Sequence, residues 1–332
     1  MKKRAREYGF TFGTMETGER NAITDVPGVR VGHVTLNRGE SIRTGVTAIL
    51  PHSGNLFREK VLAGAAVING FGKTTGLVQL EELGLLESPI MLTNTFGVPA
   101  VTEGVLQHLF EQCPEIGKTT GTANVVVGEC NDGYLNDIRG LHVRPDQAIS
   151  AIDAASDVVL EGAVGAGTGM SCLGFKGGVG TSSRRVAGGM LGVLVLSNYG
   201  ARNDTDVPPG SIMMIVATDL PVNERQLQRI AKRTAFGLAR TGSTAHNGSG
   251  DVAIAFSTAH QVTHNGDQVE QFEFLRDDTS EMNDLFDATA SAVEEAIWNS
   301  LVMAETTTGR DGHTRRGLTG EEAKELRAEL RG

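Results

Sequence analysis

Glycine stands inside the apolar stretches of this chain as well as between them, and that limits what the chain can fold into. A segment such as Gly162-Ala-Val-Gly-Ala-Gly-Thr-Gly169 reads as tight turns and close backbone approaches, because a residue without Cβ admits neighbours that others exclude. The 43 glycines follow no collagen-like period and come with only 9 prolines, so neither a triple helix nor a disordered tract is expected. No composition shift or linker divides the 332 residues, and a chain of this length can bury a core without metal or disulfide staples. One domain spanning 1–332 is expected.

Short β-rich runs alternate with a few helical ones. Strands are predicted at 29–35, 46–50, 61–69, 90–93, 123–128, 190–197, 212–218 and 252–258. Helices are predicted at 77–85, 98–110, 145–156, 224–241 and 284–304, the last with Phe286, Ala290, Val293, Ile297, Leu301 and Ala304 on one face. Residues 268–275 are expected to return on 252–258 as a hairpin across the turn signal Asn265-Gly266. Thr319-Gly-Glu-Glu322 has the form of a capping box for a final helix. Intermixed helices and strands with no repeat point to a layered α/β or α+β arrangement.

The net charge of −10 and the absence of a basic cluster exclude nucleic acid as the expected partner. Cys113, Cys130 and Cys172 are too few and too scattered for a disulfide framework or a zinc site, and the histidines lack metal-ligand spacing, so no metal is expected. Met-Lys-Lys-Arg at the start begins like a signal peptide, but no apolar stretch follows, and no run reaches membrane-spanning length. A soluble, reducing, cytoplasmic setting is expected, without membrane contact.

Chemistry concentrates at Thr244-Ala-His-Asn-Gly-Ser-Gly-Asp-Val-Ala-Ile-Ala-Phe256, a small polar turn opening into an apolar strand. Taken alone, Gly248-Ser249-Gly250 is a turn. It is not a nucleophile elbow, since Asn247 stands two before the serine and a strand follows. At the head of a buried strand, however, Ser249 is placed to attack the Gly248 carbonyl. The resulting ester hydrolyses and leaves a free α-amine beside the hydroxyl, so nucleophile and base share one residue. An α-amine with a pKa of about 7.7–8.0 is partly neutral near physiological pH and can take the hydroxyl proton. Asp251 is positioned to accept a hydrogen bond beside that terminus.

The chain resembles the family of DmpA-type L-aminopeptidase/D-esterases and β-aminopeptidases, self-cleaving serine peptidases with an N-terminal nucleophile. The resemblance runs in order through 21–33, Asn69-Gly-Phe-Gly72, 87–95, Val127-Gly-Glu-Cys-Asn-Asp-Gly-Tyr-Leu-Asn-Asp137, Gly165-Ala-Gly-Thr-Gly169, Gly174-Phe-Lys-Gly-Gly178, Leu196-Ser-Asn198 and His246-Asn-Gly-Ser-Gly-Asp251. It implies an α+β fold, a four-layer αββα sandwich of the Ntn-hydrolase type. It also implies cleavage between Gly248 and Ser249 into an α chain (1–248) and a β chain (249–332) that stay together, with a tetramer of such heterodimers as the assembly. The implied substrate is a small peptide, amide or ester with a free amino terminus, and no cofactor is implied.

By the same resemblance, Asn198 aims an amide N–H at the oxyanion and Glu129 holds the substrate ammonium, with Tyr134 as a neighbour able to hydrogen-bond there. Without the resemblance, Asn198 would be a turn residue and Glu129 a solvated loop charge. The resemblance also places one carboxylate of the Glu294-Glu295 pair near the new terminus. Helical angle puts Glu294 beside the apolar face and Glu295 away from it, and the choice between them stays open. Relatives carry Thr or Ser where this chain has Val293. The glycine block 165–180 fails the phosphate-loop pattern because Gly177 follows Lys176, so it is expected to pack closely round the active site, with Lys176 assisting self-cleavage. Two other readings are carried forward: a glycine-rich small-ligand-binding protein, and an acyl transferase on the same scaffold. Preference among L-, D- and β-amino-acid substrates stays open.

Overall fold

β1 (Arg30–Arg38) turns back on β2 (Ile42–Leu50) as an antiparallel hairpin, with Arg38 opposite Ile42. β3 (Glu59–Gly70), α1 (Leu77–Leu83), β4 (Leu85–Leu86), β5 (Ile90–Asn94), α2 (Val98–Gln112), β6 (Val126–Cys130) and α3 (Pro145–Asp153) follow. Two small strands, β7 (Ser171–Cys172) and β8 (Phe175–Lys176), precede β9 (Gly178–Val186), β10 (Gly189–Asn198) and β11 (Ser211–Thr218). α4 (Glu224–Ala239), β12 (Gly250–Thr263), α5 (Ser280–Val302), β13 (Thr307–Thr308), β14 (Thr314–Arg315) and α6 (Gly320–Arg331) complete the chain. This computed structural model describes residues 2–200 and 210–331.

The strands form two main sheets, one ordered β1-β2-β5-β6 and the other β4-β3-β12-β11-β10-β9. β5 with β6 and β11 with β12 run parallel, and the other neighbours run antiparallel. β11 is buried at every residue from Ser211 to Thr218, so its run Ile-Met-Met-Ile-Val-Ala reads as continuous apolar sequence rather than alternation.

Three separate apolar clusters mark the interfaces of four layers. Ile49, Leu92, Leu196, Met213, Ile215 and Phe256 fill the space between the sheets. Val193, Val195, Met214, Val216, Leu227 and Ile297 join the larger sheet to α4 and α5. Val46, Ala48, Met91, Val101, Val105 and Ile152 join the smaller sheet to α2 and α3. This is the αββα sandwich expected from the sequence. Gly180 shows why glycine recurs in strands here: a Cβ on it would stand 2.0 Å from the Ala296 carbonyl oxygen of α5.

The basic start of the chain is part of the packing. Ala5 donates its N–H to Asn299 Oδ1 at 2.9 Å, Arg4 pairs with Glu161, and Arg6 pairs with Glu295 on α5. Trp298, the chain's sole tryptophan, is fully buried on α5 and meets the Phe10 ring edge-on at 5.6 Å. Among the described residues, no helix is long and apolar enough to cross a membrane.

Two expectations are corrected, and one strand is added. Residues 268–275 add no strand, because β12 already has β3 on one side and β11 on the other. The segment folds back on the His260 side chain, whose Nε2 lies 2.8 Å from the Glu273 carbonyl oxygen and whose ring is 4.9 Å from Phe272. β9 is a strand although its Gly-Val-Gly-Thr-Ser-Ser-Arg-Arg-Val carries little apolar signal; its polar groups are bonded inside the core, Ser182 Oγ donating to Ala292 O at 2.7 Å. Glu295 does not face outward. Both Glu294 and Glu295 are buried, because α5 is covered by the sheet on one side and by α4, α6 and the N-terminal segment on others.

Candidate active site

Pairing in the larger sheet collects one end of β3, β10, β11 and β12. Asn198 lies opposite Ser211, Ile212 opposite Asp251, and Asp251 opposite Asn69. Ser249 sits at the head of β12 and is almost fully buried, at 4 % exposed. Its hydroxyl donates towards Asp251 Oδ1 at 2.6 Å and towards the Gly210 carbonyl oxygen. Its own N–H, part of the Gly248–Ser249 bond, closes a turn onto His246 O at 2.8 Å. The Gly248–Ser249 bond is therefore held in a defined turn, with the serine oxygen fixed beside it.

Asn69 straps that turn. Its side-chain nitrogen donates to His246 O at 3.0 Å, to Asn247 O at 3.2 Å and to the Ser249 carbonyl oxygen. The Gly250 N–H donates to Ser211 Oγ at 3.2 Å. Gly250 is needed because a Cβ there would stand 2.7 Å from the Phe71 carbonyl oxygen and 3.0 Å from Gly72 Cα.

Glu129 reaches the same region from the smaller sheet, inside β6 rather than beyond its end. One carboxylate oxygen accepts the Lys73 N–H at 2.8 Å, and the other accepts from Thr95 Oγ1. Gly72 separates it from the serine turn: a Cβ on Gly72 would lie 3.4 Å from Glu129 Oε1 and 3.6 Å from Gly250 Cα. A fixed buried carboxylate this near the Ser249 turn can pair with a cationic group, since charge attraction strengthens as water is excluded.

Asn198 is held at both ends. Its Oδ1 accepts the Ser171 N–H at 2.8 Å, and its Nδ2 donates to Asn131 O at 2.9 Å, which ties the end of β10 to the loop after Glu129. Tyr134, in that loop, lies between the His313 ring at 4.6 Å and the Arg315 guanidinium at 3.8 Å. The glycine block forms a fully buried turn at Gly165–Gly169. Lys176 pins it by donating to Gly167 O at 2.8 Å, Met170 O at 2.9 Å and Gly177 O at 2.7 Å. Burial draws the Lys176 ammonium down to about 7, against the nearby charges of Asp132 and Cys172. Its three contacts are with the glycine loop and not with Ser249, so it braces the loop.

Glu294 and Glu295 are not gathered with these groups. Arg327 holds Glu294 at 2.8 Å. Glu295 accepts from Arg6 Nε at 2.7 Å, Arg184 Nη2 at 2.8 Å and Asn21 Nδ2 at 2.6 Å. Among the described residues, the hydrogen bonds of Ser249 reach neither carboxylate. The carboxylate beside Ser249 is that of Asp251. Asn69, Thr95 and Ser211 were given no role from sequence. Asn69 ends a predicted strand and Thr95 follows one, but only pairing across β3, β11 and β12 and packing of the two sheets bring them together. No group of three or more His, Cys, Asp or Glu able to hold a metal occurs among the described residues.

Two stacked sheets covered by helices, with a buried serine at the head of a central strand, define a serine hydrolase on the αββα sandwich of the Ntn type. Residues 21–315 match the sequence pattern of peptidase family S58, and the chain belongs to that family. It is 41 % identical to the β-peptidyl aminopeptidase BapA of Sphingosinicella microcystinivorans, across 94 % of this chain and 88 % of that one. The PH0078 protein of Pyrococcus horikoshii OT3 superposes with a TM-score of 0.92 at 50 % identity, covering 98 % of both chains. The L-aminopeptidase/D-Ala-esterase/amidase of Ochrobactrum anthropi, described as a variant of the Ntn-hydrolase fold, superposes with a TM-score of 0.89 at 34 % identity, again over 98 % of each. The protein is an aminopeptidase. The ligand-binding reading of the glycine block has no support in a turn that is wholly buried.

Proposed function

We propose that this is a self-cleaved serine aminopeptidase in which Ser249 is both nucleophile and, through the amine that cleavage frees, its own base. The observation that carries it is the buried Ser249 hydroxyl, fixed at a strand head beside a turn that contains its own peptide bond. Scission there divides one domain into 1–248 and 249–332. In the mature enzyme the amine takes the hydroxyl proton as Ser249 attacks the substrate carbonyl, and returns it to the leaving amine or alcohol. Glu129 receives the substrate ammonium, which fixes the scissile bond one residue away. Asn198 supplies an N–H to the oxyanion, and Tyr134 borders the same loop. Glu294 and Glu295 serve this arrangement from a distance, by docking α5 rather than by touching the amine. The substrate is a short peptide, amide or ester with a free amino terminus. The assembly is a tetramer of heterodimers in the cytoplasm, and light scattering on the purified protein tests its size.

Mass spectrometry of the purified protein tests the mechanism. Two fragments dividing before Ser249 are expected, and Ser249→Ala should give one intact chain without activity. A wild-type chain that stays whole yet hydrolyses aminoacyl p-nitroanilides rules out the terminal-amine mechanism. A panel of α-, β- and D-residue p-nitroanilides then defines the side-chain preference.

A further inference from the structure

Ser249 has to lose its hydroxyl proton once before any free amine exists, so chain scission needs a base other than the one used in turnover. We propose that Asp251 is that base: its carboxylate takes the proton from Ser249 Oγ as the oxygen attacks Gly248. The inference rests on self-cleavage before Ser249 and adds the group that performs it.

The geometry is fixed by the sheet. Asp251 is fully buried in β12, paired with Ile212 of β11 on one side and with Asn69 of β3 on the other, where the register shifts between Asp251 and Val252. Oδ1 stands 2.6 Å from Ser249 Oγ, within direct proton-transfer distance. The second oxygen, Oδ2, is buried and has no hydrogen-bond partner among the described residues. Buried polar atoms are nearly always paired, so an orphaned carboxylate oxygen at a reacting bond calls for an explanation. Scission supplies one, because the ammonium it creates on Ser249 is a donor that the uncut chain lacks.

Burial raises the Asp251 carboxyl above its ordinary range, against the Ser249 hydrogen bond, a bond from the Ile212 backbone and the charge of His246. A raised carboxyl is a stronger base towards the serine proton. The other titratable groups round it are Cys130 from β6 and Tyr199 after β10, both pushed upward by burial and so neutral, with Glu129 beyond Gly72.

The step balances without a cofactor. The Ser249 proton passes to Asp251 while Oγ bonds to the Gly248 carbonyl carbon. The adduct collapses by breaking the carbon–nitrogen bond, and the departing nitrogen takes the proton from Asp251. One water then hydrolyses the Gly248 ester, leaving a carboxylate, the serine hydroxyl and an ammonium.

The test follows scission of freshly refolded precursor by mass spectrometry, for wild type, Asp251→Asn and Asp251→Glu, from about pH 5 to about pH 9. Asp251→Asn should slow scission by roughly 10² to 10⁴-fold, the usual span for one acid–base group. The wild-type rate should fall as pH drops through the Asp251 carboxyl, the Asn variant should lose that fall, and Asp251→Glu should recover part of the rate. Thermal melting and buried tryptophan emission identify variants that fold. A folded Asp251→Asn chain that cuts at the wild-type rate and with the wild-type pH profile overturns the inference. An uncut wild-type chain overturns instead the self-cleavage on which it rests.

Discussion

Glu129 accepts one hydrogen bond on each carboxylate oxygen, from the Lys73 N–H and from Thr95, which fixes the group and leaves further acceptor capacity beside its charge for a cationic ligand. Glu129→Gln keeps the size and removes that charge. Losing the charged partner of a buried pair costs about 2 kcal/mol or more, roughly a thirty-fold fall in kcat/KM. The fall should appear on substrates with a free amine, carried mainly by KM, and be absent on the same substrates acetylated at nitrogen. Steady-state kinetics on the two substrate sets decides this. Ser249 was legible in the sequence as a small polar residue at the head of an apolar strand, whereas Glu129 was legible only through the family resemblance, since by itself it reads as a loop charge. Asn69 and Thr95 were not, since an asparagine or threonine at a strand end looks the same whether or not a second sheet brings a partner to it.

At the scale of elements, α5 illustrates a charge network used for docking. Glu295 is fully buried with Arg184, also fully buried, and with Arg6 from the chain start. Burial pushes the Glu295 carboxyl up, but the hydrogen bond from Arg6, the charges of Arg184 and Arg6 and the Asn21 amide outweigh it and hold the group below its ordinary value. A depressed carboxyl stabilises the fold fully above its unfolded value, near pH 4.3, and that contribution fades as pH falls through the lower folded value. Urea midpoints should therefore drop below about pH 4, and Glu295→Gln should flatten that drop. Glu295→Ala leaves Arg184 buried without its carboxylate and should cost about 3–5 kcal/mol at neutral pH. Amphipathic patterning misplaced Glu295 because it assumes a helix with one wet face, and α5 has none through its middle. β9 escaped for a related reason. Its Thr181, Ser182, Ser183 and Arg184 are fully buried or nearly so, satisfied by hydrogen bonds that no hydropathy pattern records.

For the whole molecule, the position of β12 decides what scission can do. The proposed β chain begins at Ser249 and contributes β12, which lies inside the larger sheet with β3 and β11 of the other piece on its two sides. Separation would expose two sheet edges and the apolar faces of β12 and α5, so the pieces should co-elute as one species in native size exclusion and part only in denaturant. Two native peaks would contradict this. A layered mix of helix and sheet was readable from the alternation of strand and helix, and the four-layer order only from the family resemblance, whereas the sheet order was not readable, because adjacency of β3, β12 and β11 depends on contacts far apart in sequence.

The single tryptophan makes that joint optically visible. Trp298 belongs to the downstream piece and Phe10, against which it packs, to the upstream one. Its emission should stay blue-shifted after the chain is nicked and move to the red only when the two polypeptides come apart, so one fluorophore already present distinguishes a broken backbone from a lost fold.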